Sequence, residues 1–140
     1  MEESEKQNLY DTFKAVIESI VNEKRQDPKS NKKLNKLIAG VNLGLQIEED
    51  YYFWLKLKAN EGKFVLERGK LEEYEFELLA APEDLLYFCN GTNSTVHMVT
   101  KKNEFGKKKL RIQKGTTGRN LGKLLKLANI LVIDKVAPSN

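Results

Sequence analysis

Val41-Asn42-Leu43-Gly44-Leu45-Gln46-Ile47 is the stretch on which the fold turns. Apolar side chains fall at every second position, the period of a strand with one buried face. Everything before it keeps a different period. Leu9, Phe13, Val16, Ile17, Ile20 and Val21 recur at helical spacing, with Lys6, Asp11, Lys14, Glu18 and Glu23 elsewhere around the turn. Ser4 and Gln7 stand at capping-box spacing at the start of that helix. Asp27-Pro28 restarts a helix, because Asp27 can cap and Pro28 fits the first turn. This second helix is expected to pack Leu34, Leu37 and Ile38 and to end near Gly40.

Downstream the period of two persists. Glu48-Glu49-Asp50 makes a polar turn, and Phe53, Leu55 and Leu57 then alternate with Trp54, Lys56 and Lys58. Asn60-Glu61-Gly62 is a tight turn. Phe64 and Leu66 fall opposite Val65, Gly69-Lys70 turns again, and Tyr74, Phe76 and Leu78 alternate with Glu75 and Glu77. Pro82 opens a helix with Glu83 and Asp84 in its first turn, where acids complement the helix dipole. Leu85, Leu86, Phe88 and Cys89 form its apolar side, and Asn90-Gly91 ends it. Val96 and Val99 fit either a helical turn or an irregular connection between Ser94 and Asn103. Leu110 and Ile112 alternate with Lys109, Arg111 and Gln113 in a last strand, which Gly115-Thr116-Thr117-Gly118 breaks. Leu121, Leu124, Leu125, Leu127, Ala128, Ile130 and Leu131 make a closing helix that is apolar on more than one face. Two helices, four strands, a helix, a strand and a helix predict an α+β domain with one mostly antiparallel sheet.

The chain has 140 residues, enough for one domain over 1–140. Its expected parts are N-terminal helices over 4–39, sheet and helices over 41–131, and a short tail over 132–140. No repeat, linker or low-complexity tract interrupts it. No window approaches the ~18 apolar residues of a membrane span. The acidic, polar start Met1 to Lys6 does not read as a secretory signal. Cys89 is the only cysteine, which suits a reducing, cytoplasmic location. In that setting Asn90-Gly91-Thr92 and Asn93-Ser94-Thr95 match the glycosylation pattern by chance.

Ala81-Pro82-Glu83-Asp84-Leu85-Leu86, an acidic helix start straight after a strand, is followed by Asn90-Gly91 and a connection. Then comes Gly106-Lys107-Lys108-Lys109-Leu110-Arg111-Ile112-Gln113-Lys114-Gly115, leading into the leucine-rich segment Asn120 to Leu131. In order and spacing, the chain from about Lys36 to Leu131 resembles the sterol carrier protein type 2 family. The resemblance implies a five-stranded mixed, mostly antiparallel sheet with helices over one face. It further implies a hydrophobic cavity that takes fatty acyl chains, sterols or similar lipids for transfer or presentation. The stretch from Thr92 to Phe105 is longer and more polar than the family usually has, and the C-terminus lacks a peroxisomal signal.

On that resemblance the lipid-binding residues are Phe53, Leu55, Phe64, Phe76, Leu78, Leu85, Phe88, Cys89, Met98, Leu110, Ile112, Leu121, Leu124, Leu125 and Ala128. An apolar wall suffices, since an acyl chain gains roughly 0.8 kcal/mol per CH₂ removed from water. Read by themselves, aromatics at period two are ordinary core. The surplus apolar face of the closing helix fits three roles: a cover for a lipid cavity, core, or a seam with a partner chain, so a protein-interaction module is the alternative function. The expected state is a monomer or weak homodimer.

Catalysis is not expected. His97 is the only histidine, and no partner is marked for it. One histidine and one cysteine do not make the usual zinc sites. Glu72, Glu73, Glu75 and Glu77 read as a solvated face. Gly115 to Lys123 departs from phosphate-loop spacing, with Leu124 where a hydroxyl is needed. No cofactor is expected beyond a bound lipid or fatty acid. Net charge is only +4 but segregated, with bases dominating from Lys101 to Lys126. Lys107, Lys108, Lys109, Arg119 and Lys123 are the candidates for docking on an anionic membrane, where each is worth about 1 kcal/mol. The same charge also fits a solvated face. Nucleic acid is the least expected partner, because aromatics are not interleaved with the bases.

Overall fold

The computed structural model describes residues 1–114. The closing helix expected around Leu121, Leu124, Leu125 and Ala128 lies outside the described residues, as do Arg119 and Lys123.

Helix α1 runs Glu3–Arg25 and turns Phe13, Ile17, Ile20 and Val21 inward, as its periodicity predicts. The expected capping box is corrected. Ser4 lies inside the helix, Glu2 is the N-cap with no side-chain cap, and Gln7 donates to Asp11 at 3.0 Å. The helix starts one residue ahead of Ser4, so Ser4 is past the position from which a side chain can cap. Helix α2 runs Pro28–Lys36, and Asp27 caps it by accepting from the Ser30 backbone N–H at 3.0 Å. The Ser30 hydroxyl and backbone N–H hold the Asp27 carboxyl below its ordinary range. This helix ends short of Gly40. Leu37 is already extended and Ile38 opens a strand, because backbone pairing with the next strand begins at Ile38↔Asn60. Ile38 is accordingly exposed rather than packed.

Strand β1 spans Ile38–Glu48, β2 Tyr51–Asn60, β3 Lys63–Arg68, β4 Phe76–Ala80 and β5 Leu110–Lys114. The sheet order is β3-β2-β1-β4-β5, with every neighbouring pair antiparallel except β1 and β4. Glu61 and Gly62, both at positive φ (48° and 92°), close the β2–β3 hairpin in two residues. That twist matches the twist of the flanking strands. Helix α3 spans Pro82–Cys89 and α4 spans Thr95–Thr100, capped by the Ser94 hydroxyl. The connection left open in the sequence is therefore a short helix.

Register places Val41, Leu43, Leu45, Phe53, Leu55, Leu57, Leu66, Phe76, Ala80 and Leu110 on one face of the sheet. The helices bring Phe13, Ile20, Leu34, Leu85, Phe88 and Met98 against them in one continuous core. Tyr10 donates from α1 to the Leu66 carbonyl at 2.8 Å, tying helix layer to sheet.

The expectation that β1 buries one face is corrected. Its whole middle is buried, including Asn42 and Gln46 at 0% and 1% exposure. Gln46 is covered by Asn103 and Arg111, and Asn42 by the connection 69–75, which carries the chain from β3 to the far side of β1 and crosses the face opposite the helices. The Asn42 amide receives it like a strand edge, donating to the Leu71 carbonyl (3.2 Å) and accepting from the Leu71 N–H (2.7 Å). Gly40 N–H donates to Glu75 Oε2 at 2.7 Å. On the same face Leu79 and Trp54 lean over Gly44, so a Cβ there would sit 2.5 Å from Leu79 Cδ2 and 2.9 Å from Trp54 Cη2.

Gly44→Ala should therefore destabilise the chain by about 1–3 kcal/mol, since a filled site must displace two packed side chains. Val65→Thr, on an exposed position of β3, should stay within about 0.5 kcal/mol. Urea unfolding of both variants checks the pair.

Candidate functional site

The helix-facing side of the sheet gathers the predicted lipid-binding residues. Phe53, Leu55, Phe76, Leu85, Phe88, Cys89, Met98 and Leu110 are buried in the continuous core, and Phe64, Leu78 and Ile112 are partly buried against it. Leu55, Phe76 and Met98 are fully enclosed by their neighbours. The predicted residues Leu121, Leu124, Leu125 and Ala128 fall outside the described residues.

An apolar cleft of about 340 Å³ opens onto this core between α1 and α3. Its walls are Ala15, Val16 and Ser19 from α1 and Leu86, Cys89 and Asn90 from α3. The volume is at the small end of the ~300–1,000 Å³ of ligand pockets. Sequence reasoning assigned only Cys89 to it. The readable signal was Ala15 and Ser19, two small residues one turn apart beside the apolar stripe of α1. Small side chains there leave a groove that Leu or Lys would fill. Cys89 belongs to both core and cleft. Burial pushes its thiol up to about 12, so at neutral pH it is an apolar wall group and not a nucleophile.

A second hollow, about 760 Å³, has mixed polar and apolar walls and lies at the other end of α3. Gln46, Asp84, Asn93, His97, Asn103 and Lys109 are among its walls. Lys109 Nζ is 3.0 Å from His97 Nε2 and 3.7 Å from Asp84 Oδ1, so its charge is taken up locally. Ser94 meets His97 only through the backbone, its hydroxyl accepting the His97 N–H at 3.1 Å. The imidazole thus faces an ammonium, not a hydroxyl or thiol. Among the described residues no three His, Cys, Asp or Glu side chains come close enough to hold a metal ion. Gln46 is the keystone of this region. Its carbonyl oxygen accepts from Asn103 Nδ2 (2.9 Å) and Arg111 Nη2 (2.8 Å), and its amide donates to the Glu49 carbonyl (3.3 Å).

The basic candidates divide. Lys107 and Lys108 are exposed, whereas Lys109 is half-buried and turned inward to His97 and Asp84. Among the described residues no helix is long and apolar enough to cross a membrane.

No family model and no curated protein matches the sequence. Solved structures do match the fold. The sterol carrier protein domain 2 of Helicoverpa armigera aligns with a TM-score of 0.60 at 16% identity, over 86% of this chain and 87% of that one. A UbiJ-SCP2 ubiquinone synthesis protein aligns at 0.57 and 10% identity, over 84% and 92%. A crystal structure of sterol carrier protein 2 aligns at 0.56 and 11% identity, over 84% and 91%. The chain therefore has the sterol carrier protein 2 fold, an α+β arrangement with a five-stranded mixed sheet, and the resemblance read from the sequence is borne out at the level of fold.

Gln46→Leu should cost about 1–3 kcal/mol, because the Asn103 amide and the Arg111 guanidinium lose a shared acceptor while remaining partly buried. Faster limited proteolysis between residues 101 and 109 should accompany the loss of stability.

Cys89 makes a pH prediction. Its folded value lies above its ordinary one, so above pH ~9 the unfolded chain has shed a proton that the folded chain keeps. Stability should then fall with rising pH, by up to about 1 kcal/mol per pH unit, until the folded thiol ionises near 12. Cys89→Ala should show a shallower decline in denaturant melts between pH 9 and 11.

Proposed function

We propose that this chain binds lipids, fatty acyl chains or sterols among them, in the apolar space between its helices and the inner face of the sheet, and transfers or presents them without a catalytic centre of its own. The observation that supports the reading is the apolar cleft between α1 and α3, whose wall residue Cys89 belongs to the buried apolar core beneath it. The fold supports it, since the neighbours named as sterol carrier proteins share the same sheet and helix arrangement.

The chemistry is that of a carrier. An alkyl chain entering beside Leu86 and Val16 leaves water at roughly 0.8 kcal/mol per CH₂. Ser19 and Asn90 at the rim supply the polar groups that an amphipathic lipid leaves at the surface. Core residues must part to admit the chain, and Met98 and Cys89 suit that role because soft, adaptable side chains repack at low cost. Nothing in the reading requires a bound cofactor.

Purified protein should release a lipid on organic extraction, or bind a fluorescent fatty acid with a displaceable signal. Ser19→Trp, on an exposed position of α1, should fill the cleft and weaken fatty-acid binding about tenfold or more while the melting temperature hardly moves. Absence of extractable lipid together with absence of fatty-acid binding sinks the proposal.

A further inference from the structure

We propose that α4 and the turn that follows it form a docking surface for anionic lipid membranes. The observation is an exposed aliphatic pair on α4 followed at the helix end by a basic turn that the fold holds in place. Helix α4 is rolled so that Met98 is buried, which leaves Val96 and Val99, one turn apart, 70% and 37% exposed. Two aliphatic side chains displayed together on a six-residue helix are not needed for the core.

The backbone leaves α4 directly into the basic segment. Lys101 is the C-cap residue, and Lys102 bridges to Lys108 so that the chain doubles back. The Lys109 N–H donates to the Lys101 carbonyl at 2.8 Å, closing the loop's base. At the tip, Asn103 Oδ1 accepts the N–H groups of Phe105 (2.9 Å) and Lys107 (3.1 Å), and Gly106 takes positive φ (75°). Lys108 Nζ donates to the Thr100 carbonyl at 2.8 Å, which fixes its charge beside the end of α4. Lys101, Lys102, Lys107 and Lys108 are all exposed, against one acid, Glu104. Lys109 is excluded, since its ammonium faces His97 and Asp84.

Anionic head groups match the lysines, and the acyl boundary beneath them matches the valines. Juxtaposed basic and apolar groups are the signature of interfacial binding. A nucleic acid would match the charge but not the valines, which offer neither base stacking nor hydrogen bonds. The turn is pinned by backbone and side-chain bonds before any partner arrives, so little ordering entropy opposes docking.

Co-sedimentation of the full chain with vesicles tests this, using phosphatidylcholine alone and an equal mixture with phosphatidylserine. Binding should be about tenfold or more stronger on the mixed vesicles and should weaken at high salt. Lys102→Glu combined with Lys107→Glu should reduce it about tenfold or more. Val96→Asp combined with Val99→Asp should reduce it with the lysines intact, which separates insertion from charge alone. Both double variants change exposed residues, and their melting curves should match the parent's. If either does not, Lys101→Glu replaces the lysine pair, or Val96→Ser the valine pair. Equal binding to both vesicle types, indifference to the lysine variant, or RNA binding that is tighter and indifferent to the valine variant would overturn the proposal. Fatty-acid binding, measured separately, should be unchanged in these variants, so a failure of docking and a failure of lipid binding are read independently.

Discussion

Strand β1 lies at the centre of the sheet with a hydrogen-bonded neighbour on each edge and cover on both faces, and the rest of the structure depends on that burial. Burying a strand on two faces removes water from its polar side chains as well as its apolar ones. Asn42 and Gln46 must therefore find partners inside the protein, because an unsatisfied buried amide costs of the order of 1–3 kcal/mol. Each does so by capturing a piece of irregular chain. Asn42 takes the backbone of Leu71 and so fixes the connection that brings β4 parallel to β1. Gln46 takes Asn103 and Arg111 and so fixes the turn after α4 to the sheet. Gly44 lies between them, where only the absence of a side chain lets Trp54 and Leu79 close over the strand.

With its second face thus occupied, the sheet offers its first face to the helices. Apart from Arg68 at the end of β3, the central inner residues of the strands are apolar, and α1 and α3 lie over them with a cleft at their junction. The division of labour is chemical. On the helix-facing side Arg68, opposite Leu55 at the end of β3, reaches Glu3 of α1, and the strand residues inside it are apolar, whereas the opposite face carries Lys56, Lys58, Glu67, Glu77 and Arg111 by register. An apolar ligand has one side of the molecule to enter. In the hollow around His97, Lys109 reaches both His97 and Asp84 and so links α3, α4 and the basic turn.

The proposed docking surface is a consequence of the same anchoring. Gln46 anchors Asn103 at the root of the turn, which follows directly on α4 and its exposed valines. If the chain carries lipid as proposed, it must visit the membranes that supply and accept that lipid. A surface with fixed charges and two aliphatic groups gives such visits specificity for anionic lipid without deep insertion, since a pair of valines buries little area.

Much of this was legible in the sequence. The inward stripe of α1, the Asp27-Pro28 cap, the hairpin at Glu61-Gly62, the start of α3 at Pro82 and the alternation of β2 followed from local rules, and the order of elements carried the resemblance that the fold bears out, whereas the strand expected from Tyr74 starts only at Phe76 and buries Leu79 on the far face. What was not legible was non-local. The Ser4–Gln7 cap failed because the helix begins at Glu3, which leaves Ser4 inside its first turn. The second helix stopped early because strand pairing claimed Ile38. Asn42 and Gln46 read as solvent-facing, since alternation cannot reveal that another part of the chain covers the far face. Lys107, Lys108 and Lys109 are indistinguishable as a run, yet one points inward. The sequence by itself determined which residues are helical, which are extended and which side of each strand is apolar, because those depend on periodicity and on neighbours a few positions away. Only the tertiary structure decided that β4 lies parallel to β1, that β1 is buried twice over, that a cleft stays open beside Ala15 and Ser19, and which lysines face outward. Each of those depends on satisfying buried polar groups and packing surfaces contributed from distant parts of the chain.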